Sequence, residues 1–397
     1  MMNEMSRFDL RVDRSGMSTV KQLFTPERVR DSEVISLWGA EFEFPTAKFV
    51  SDAVVAWAEK GLYAYTVEDD GFRDLVCSWM KRQRCWEIQP SWIVPVYGIT
   101  ASLATAMRAF TKEGDGIIGL DPSYHMYWHA VELSGRSKVP CRMLFDGERY
   151  SIDWNDLERK IAAPENRILV LCNPHNPTGK VFSRDDLRRI AALARAHDVI
   201  IFNDEIFAEC IYDGVEMPCY DRETAAGACI ITATSLGKWL SFTGTNQANL
   251  IIPDAETREA FLAERDREFY GSMNPMMLPA YRAAYTDAGA SWARELMTYV
   301  EDNYKMTDHF FREKLPQFHA VRPEGTFILW VDARAFCEDA DMLQKFLNQK
   351  ALFHVDPGVQ YNGDPGFFRM TLSVPRAELR RALESLEMAV REMAFSS

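Results

Sequence analysis

Four residues of this sequence stand where a covalent chemistry on a carbonyl group would need them. Lys238 follows the β-branched run 229–234 (CIITAT) and the step Ser235-Leu236-Gly237. A lysine withdrawn from water at a strand end gives up its proton and becomes a nucleophile toward an aldehyde. A lone lysine is otherwise a solvated surface charge, so its neighbours decide. Asp204 closes the run 199–203 (VIIFN). A carboxylate there can pair with a cationic ring nitrogen, or it can cap the turn through Glu205, Ile206 and Phe207. The octapeptide NPHNPTGK, residues 173–180, holds two prolines that fix φ and a glycine free to turn left-handed, so Asn176 is presented rigidly. Arg369, in the segment FFRMTLSV, can recognise a carboxylate through two parallel hydrogen bonds, or can be a charge on an edge strand. Gly98-Ile99-Thr100 precedes the helical pattern LATAMRAF, and the N–H groups of a helix N-terminus bind phosphate.

The elements that must position these residues are legible as a repeating pattern. Five short apolar runs, 92–96, 116–120, 168–172, 199–203 and 229–234, alternate with turn residues and amphipathic stretches. Between the third and fourth runs lies SRDDLRRIAALARAHD, with Ser183 as N-cap and an apolar face of Leu187, Ile190, Leu193 and Ala194. Strand, helix, strand is a βαβ unit, which predicts an α/β fold with a mostly parallel sheet covered by helices on both faces. Ligands of such sheets collect beyond the carboxyl ends of the strands. All five runs end there on polar or special residues: Ile99 and Thr100, Ser123 and Tyr124, Asn176, Asp204, and Ser235 with Lys238. From about Ala290 the pattern changes to a long helix, then strands in GTFILWVDAR and FFRMTLSV, then a last helix after Pro375. The predicted organisation is a large domain over residues 51–289. A smaller α+β domain is built from 1–50 and 290–397.

Composition excludes several classes. The chain has 397 residues, 47% hydrophobic and 26% charged, and a net charge of −13 spread along its length. That charge repels nucleic acid and anionic membranes but leaves a small anionic ligand to the local field. No apolar run reaches the length of a bilayer span. The eight cysteines form no CxxC pair, and of the seven histidines only His125 and His129 stand at a helical spacing (HMYWH), with no cysteine or carboxylate beside them, so no metal site is expected. The polar N-terminus MMNEMSRFDLRVDR does not read as a signal peptide, and scattered cysteines suit a reducing, cytoplasmic setting.

The sequence resembles the fold-type I pyridoxal 5′-phosphate enzymes of the class I/II aminotransferase group. Within them it is similar to the MalY/PatB branch of cystathionine β-lyase-type C–S lyases. FDLRVDRSGMSTVK, LWGAEFEFP, YAYTVEDDGFRDLVCSWMKRQRCWEI, CNPHNPTGKVFS and PGFFRMTLSVPR carry the resemblance, which runs from about Phe8 to the C-terminus. It implies a seven-stranded-type sheet in the large domain and pyridoxal 5′-phosphate held covalently by Lys238, which later moves the substrate's Cα proton. By the same resemblance, Asp204 pairs with the pyridine nitrogen, keeping the ring able to drain electrons. Asn176 hydrogen-bonds the phenolic O3′, and Tyr124 stacks on the ring. The phosphate is held by the Ile99 and Thr100 amides and the Ser235 hydroxyl. Tyr65 reaches the phosphate of a neighbouring subunit, which implies a homodimer. Arg369 binds the carboxylate of an amino-acid substrate, and Gly39 and Ala40 line the same pocket.

The resemblance has departures. An arginine that many aminotransferases place eight residues after the lysine is Asn246 here, as the MalY/PatB branch also lacks it. Phe207 stands where the family usually has Tyr or His as a second partner of O3′. The branch's usual aspartates in LWGAEFEFP are Glu41 and Glu43, and its Gly-Val-Val phosphate turn is Gly98-Ile99-Thr100. The implied activity is β-elimination from cystathionine or another S-substituted L-cysteine, giving pyruvate, ammonia and a thiol. The alternatives are transamination, or another carbanion fate such as racemisation, cyclisation or γ-elimination. A regulatory protein with a vestigial site is the non-enzymatic alternative, disfavoured because lysine, aspartate, asparagine and arginine are all present.

Overall fold

The computed structural model describes residues 6–269 and 273–394. It contains thirteen strands in chain order: β1 (Ile93–Val96), β2 (Gly116–Asp121), β3 (Ser137–Arg142), β4 (Leu144–Phe145), β5 (Tyr150–Ser151), β6 (Asn166–Cys172), β7 (Ile200–Asp204), β8 (Ile230–Thr234), β9 (Ala248–Ile251), β10 (His319–Ala320), β11 (Ile328–Asp332), β12 (Asp356–Pro357) and β13 (Phe367–Thr371). A seven-stranded sheet has the order β1-β9-β8-β7-β6-β2-β3. Only β9 runs against the rest: it pairs antiparallel with β1 and β8, and the other pairs are parallel. The carboxyl ends of the other six strands therefore share one edge.

Side chains of a strand alternate between its faces. Here both faces are apolar. Ile118, Leu169, Leu171 and Ile201 enter one core cluster, while Ile117, Ile168, Val170, Phe202 and Ile231 enter another on the opposite side. A sheet apolar on both faces must be covered on both, which the helices do. The helix Arg184–Ala196 begins at Ser183, whose hydroxyl and Asp186 form a capping box. It buries Leu187, Ile190, Ala191 and Ala194; Leu193, expected on this face, is only partly buried and packs against the same cluster.

A second sheet, β10-β11-β13-β12, is antiparallel. It packs with the helices Asp287–Lys314 and Arg376–Ala394 through Leu329, Val331, Phe368, Met370, Leu379 and Leu383. The N-terminal segment is laced onto this sheet by its backbone. Leu37 N–H donates to His354, Thr371 N–H to Leu37, and Glu43 N–H to Ser373. No helix among the described residues is long and apolar enough to cross a membrane.

Candidate active site

The chain passes from β2 outward to β3 and then returns to β6 on the other side of β2. Such a reversal opens a crevice at the strand ends. A cavity of about 400 Å³ lies at this edge. Ile99, Thr100, Tyr124, Asn176, Asp204, Ser235, Lys238, Arg369, Gly39 and Ala40 all line it, so ten of the eleven residues singled out from the sequence share one space. That volume suits a cofactor-sized ligand. Tyr65 is the eleventh. It is fully exposed, in a segment between the helices Lys48–Ala58 and Asp70–Arg84, and does not line the cavity.

Lys238 follows β8, and its ammonium donates to the carbonyl of Ala40 at 3.2 Å. Burial, and then the positive charge of Arg369, push its pKa down to about 8. Asp204 ends β7 and is buried. Its Oδ1 accepts the Ile206 N–H at 2.9 Å, which is the expected turn cap, and its Oδ2 accepts a short hydrogen bond from the Tyr127 hydroxyl. Burial outweighs these donors and raises the carboxyl to about 6. The paired Cys172 and Asp204 are register partners across β6 and β7, and Asn173 N–H donates to the Asp204 carbonyl, so the asparagine loop is anchored to the aspartate strand.

That loop is rigid for local reasons. Asn173 Oδ1 accepts the Phe182 N–H, and the buried His175 ring bridges the Thr178 hydroxyl and the Leu120 carbonyl. Gly179 has φ of +72°, and a Cβ there would lie 2.7 Å from Pro323, so no other residue fits. Asn176 Oδ1 accepts from Arg369 Nη1 at 3.0 Å, which leaves its amide nitrogen available as a donor.

At the other end of the cavity, Gly98 caps the helix Ile99–Phe110 with φ of +83°. The first-turn N–H groups of a helix have no partner within it. Those of Ile99 and Thr100 belong to this turn, beside Ser235, Thr243 and Asn246 in the lining. The Ser235 hydroxyl donates to the Gln247 carbonyl and accepts the Gly237 N–H. The donors at this end are thus uncharged. Tyr124 stands at the N-cap of the helix His125–Leu133, edge-on to Tyr127.

The two glutamates of LWGAEFEFP go to different places. Glu41 lines the cavity and pairs with Arg14 at 3.0 Å. Glu43 is buried and pairs with Lys21 at 2.6 Å and Arg14 at 3.2 Å. Phe207 is buried in the lining, edge-on to Phe327, with the Lys238 ammonium 5.7 Å from its ring centre. Among the lining residues not singled out from the sequence, two hold the site's charged groups: Tyr127 and Asp356. Tyr127 lies three residues after Tyr124, one helical turn along the same face, and that spacing is the signal that could have found it. Asp356, which holds Arg369, is set by a strand register that no local pattern carries.

An α/β sheet with a partly buried lysine, a buried aspartate and an arginine converging on one crevice defines an enzyme that works on a small bound molecule. The model for aminotransferase class I and II matches residues 56–386, and the chain belongs to that family. Cystathionine beta-lyase PatB of Bacillus subtilis is 30% identical over 96% of this chain and 99% of its own length. Protein MalY of Escherichia coli is 26% identical over 96% of this chain and 97% of its own. The crystal structure of cystalysin from Treponema denticola, which contains pyridoxal 5′-phosphate, superposes with a TM-score of 0.89 at 28% identity, covering 97% of this chain and 99% of that one.

Proposed function

We propose that this protein is a pyridoxal 5′-phosphate-dependent C–S β-lyase, which converts an S-substituted L-cysteine such as cystathionine to pyruvate, ammonia and a thiol. The observation that carries the reading is the convergence of Lys238, Asp204, Asn176 and Arg369 on one cavity, in a chain of which 96% aligns with a cystathionine β-lyase. The donors fit the cofactor. The buried Asp204 carboxylate would hold the ring nitrogen, and the amide nitrogen left free on Asn176 would hold O3′. The helix N-terminal amides would hold the phosphate, joined by the Ser235 hydroxyl on turning its proton from the Gln247 carbonyl.

When bound, the cofactor supplies a ring that accepts the charge left as the substrate's Cα–H bond breaks. Lys238 Nζ, whose pKa burial lowers to about 8, would hold the cofactor and then take the Cα proton. Asp204 holds a proton on the ring nitrogen. Arg369 orients the α-carboxylate, and Tyr124 covers the ring face. Gly39 and Ala40 close the substrate side. The residues 51–289 carry the cofactor, and 1–50 with 290–397 form the part that closes on the substrate.

Between its two flanking helices the chain exposes Leu62, Tyr63, Tyr65 and Val67 together. A second copy covering this surface would bring Tyr65 to the partner's phosphate and make the enzyme a homodimer. The eight free cysteines support a cytoplasmic setting.

The deciding experiment offers L-cystathionine and a panel of S-substituted cysteines to the holoenzyme without any oxo acid. Pyruvate release supports the lyase. Conversion of the cofactor to its amine form, with turnover only when an oxo acid is added, would instead make the protein an aminotransferase.

Phe207 gives a further expectation. A hydroxyl donating to O3′ favours its anionic form, and the phenyl ring cannot donate. In Phe207→Tyr, the pH midpoint of the holoenzyme's absorbance change should therefore move down by about one unit, near 1.4 kcal/mol. An unchanged midpoint in a spectroscopic titration would remove O3′ from the reach of residue 207.

A further inference from the structure

The arginine of this site is already held. In the β12–β13 ladder Asp356 stands directly opposite Arg369, and directly opposed residues project from the same face. Asp356 Oδ2 accepts Arg369 Nε–H at 3.2 Å and Nη2–H at 2.9 Å. The same oxygen accepts the Gly39 N–H at 2.9 Å. Asn176 takes one Nη1–H, and the Tyr361 ring lies against the guanidinium 4.6 Å away. Arg369 is 3% exposed and Asp356 1%. A guanidinium has five N–H groups. Three are engaged, which leaves one on Nη1 and one on Nη2, the pair a carboxylate needs for a two-pronged contact.

We propose that Asp356 is a positioning and specificity residue for the substrate's α-carboxylate, resting on the reading that Arg369 binds that group. Asp356 turns the guanidinium so that its remaining donors face the substrate. Its negative charge offsets that of Arg369, so recognition depends on paired hydrogen bonds more than on net attraction. Through Gly39 the same oxygen ties the arginine to the N-terminal segment that lines the cavity. The substrate class this favours is α-amino acids with a free, planar α-carboxylate, over amines, esters and amides.

Geometry and charge can be separated by two substitutions. Asp356→Asn keeps an acceptor oxygen and removes the like charge beside an incoming carboxylate. Asp356→Ala removes both and frees the guanidinium to turn. The probe is L-alanine, followed by the absorbance of the bound cofactor in the holoenzyme. It has no sulfur leaving group, so the titration reads carboxylate capture whether or not the enzyme is a lyase.

L-Alanine should bind about fivefold more tightly to Asp356→Asn. It should bind about tenfold more weakly to Asp356→Ala. Ethylamine, which lacks the carboxylate, should bind both variants as it binds the parent. A purely structural role would move both variants the same way for both probes, and that result overturns the proposal. Tightening in Asp356→Ala equal to that in Asp356→Asn would also overturn it, by making Asp356 a competitor of the substrate. Arg369→Ala is the control on the underlying reading: unchanged L-alanine affinity there removes Arg369 from carboxylate binding altogether. If Asp356→Ala does not fold, Asp356→Glu replaces it. It keeps the charge but displaces it, so weaker L-alanine binding supports the proposal and unchanged binding overturns it.

Discussion

Lys238→Ala should abolish turnover, lowering kcat by about 10⁴-fold or more, because one side chain is asked both to hold the cofactor and to move the substrate's proton. The environment of the lysine makes a second, quantitative expectation. Burial and the charge of Arg369 lower its pKa to about 8, below the ordinary lysine value. Only the neutral amine attacks an aldehyde. At pH 7 a pKa of about 8 leaves about a tenth of the lysines neutral, some two orders of magnitude more than an unperturbed lysine would. The rate at which cofactor-free protein captures pyridoxal 5′-phosphate should therefore rise with pH and level off above about 8. A rate still climbing through pH 10 would mean that Lys238 is solvated like any surface lysine. In Lys238→Ala this pH-dependent capture should vanish. Asp204 stays in place in that variant, so its pairing with the ring can still retain the cofactor non-covalently.

What the sequence reveals of this site follows from which forces act locally. Turn chemistry is written in neighbouring residues, so NPHNPTGK announces a rigid loop and Gly98-Ile99-Thr100 a helix start, and both stand in the cavity. The inner strands are apolar on both faces, so β2, β6, β7 and β8 are legible as continuous runs and their ends as site positions. Two strands of the large sheet are not. β3 is an edge strand, SKVPCR, largely exposed and carrying a proline, which an edge tolerates because one side makes no ladder. β9 is four residues long and antiparallel, and nothing in ANLI distinguishes it from a buried loop. The partners of the catalytic groups are hidden for a different reason. Asp356 meets Arg369 through strand register, and Lys21 and Arg14 meet Glu43 through tertiary packing across the N-terminal segment. Such pairings depend on where elements dock, and no periodicity encodes that.

The same distinction explains Tyr127 and sets the expected result for Asp204. The sequence presents Asp204 with a turn to cap, which Ile206 N–H bears out, whereas the hydroxyl donor from Tyr127 comes with the fold. Burial outweighs these donors and the Lys238 charge, and it raises the carboxyl to about 6. Burial raises a carboxyl and a nearby cation lowers it, so the ring nitrogen's positive charge should pull this group back down and make it an anion at neutral pH. Asp204→Ala removes one member of that buried pair. Breaking such a pair costs about 3–5 kcal/mol, which corresponds to a fall in kcat of about 10²- to nearly 10⁴-fold. Substrate KM should change little, because the proposed holder of the α-carboxylate is Arg369 and not Asp204. Tyr127→Phe leaves the carboxylate but removes a donor to it, so it should cost about tenfold, the worth of one hydrogen bond to a charged group. A loss below tenfold in Asp204→Ala, measured as kcat with the cofactor saturating, would show that the ring needs no proton on its nitrogen. The reaction would then be one that demands little of the electron sink, and the carbanion would have to be stabilised by other groups of the cavity.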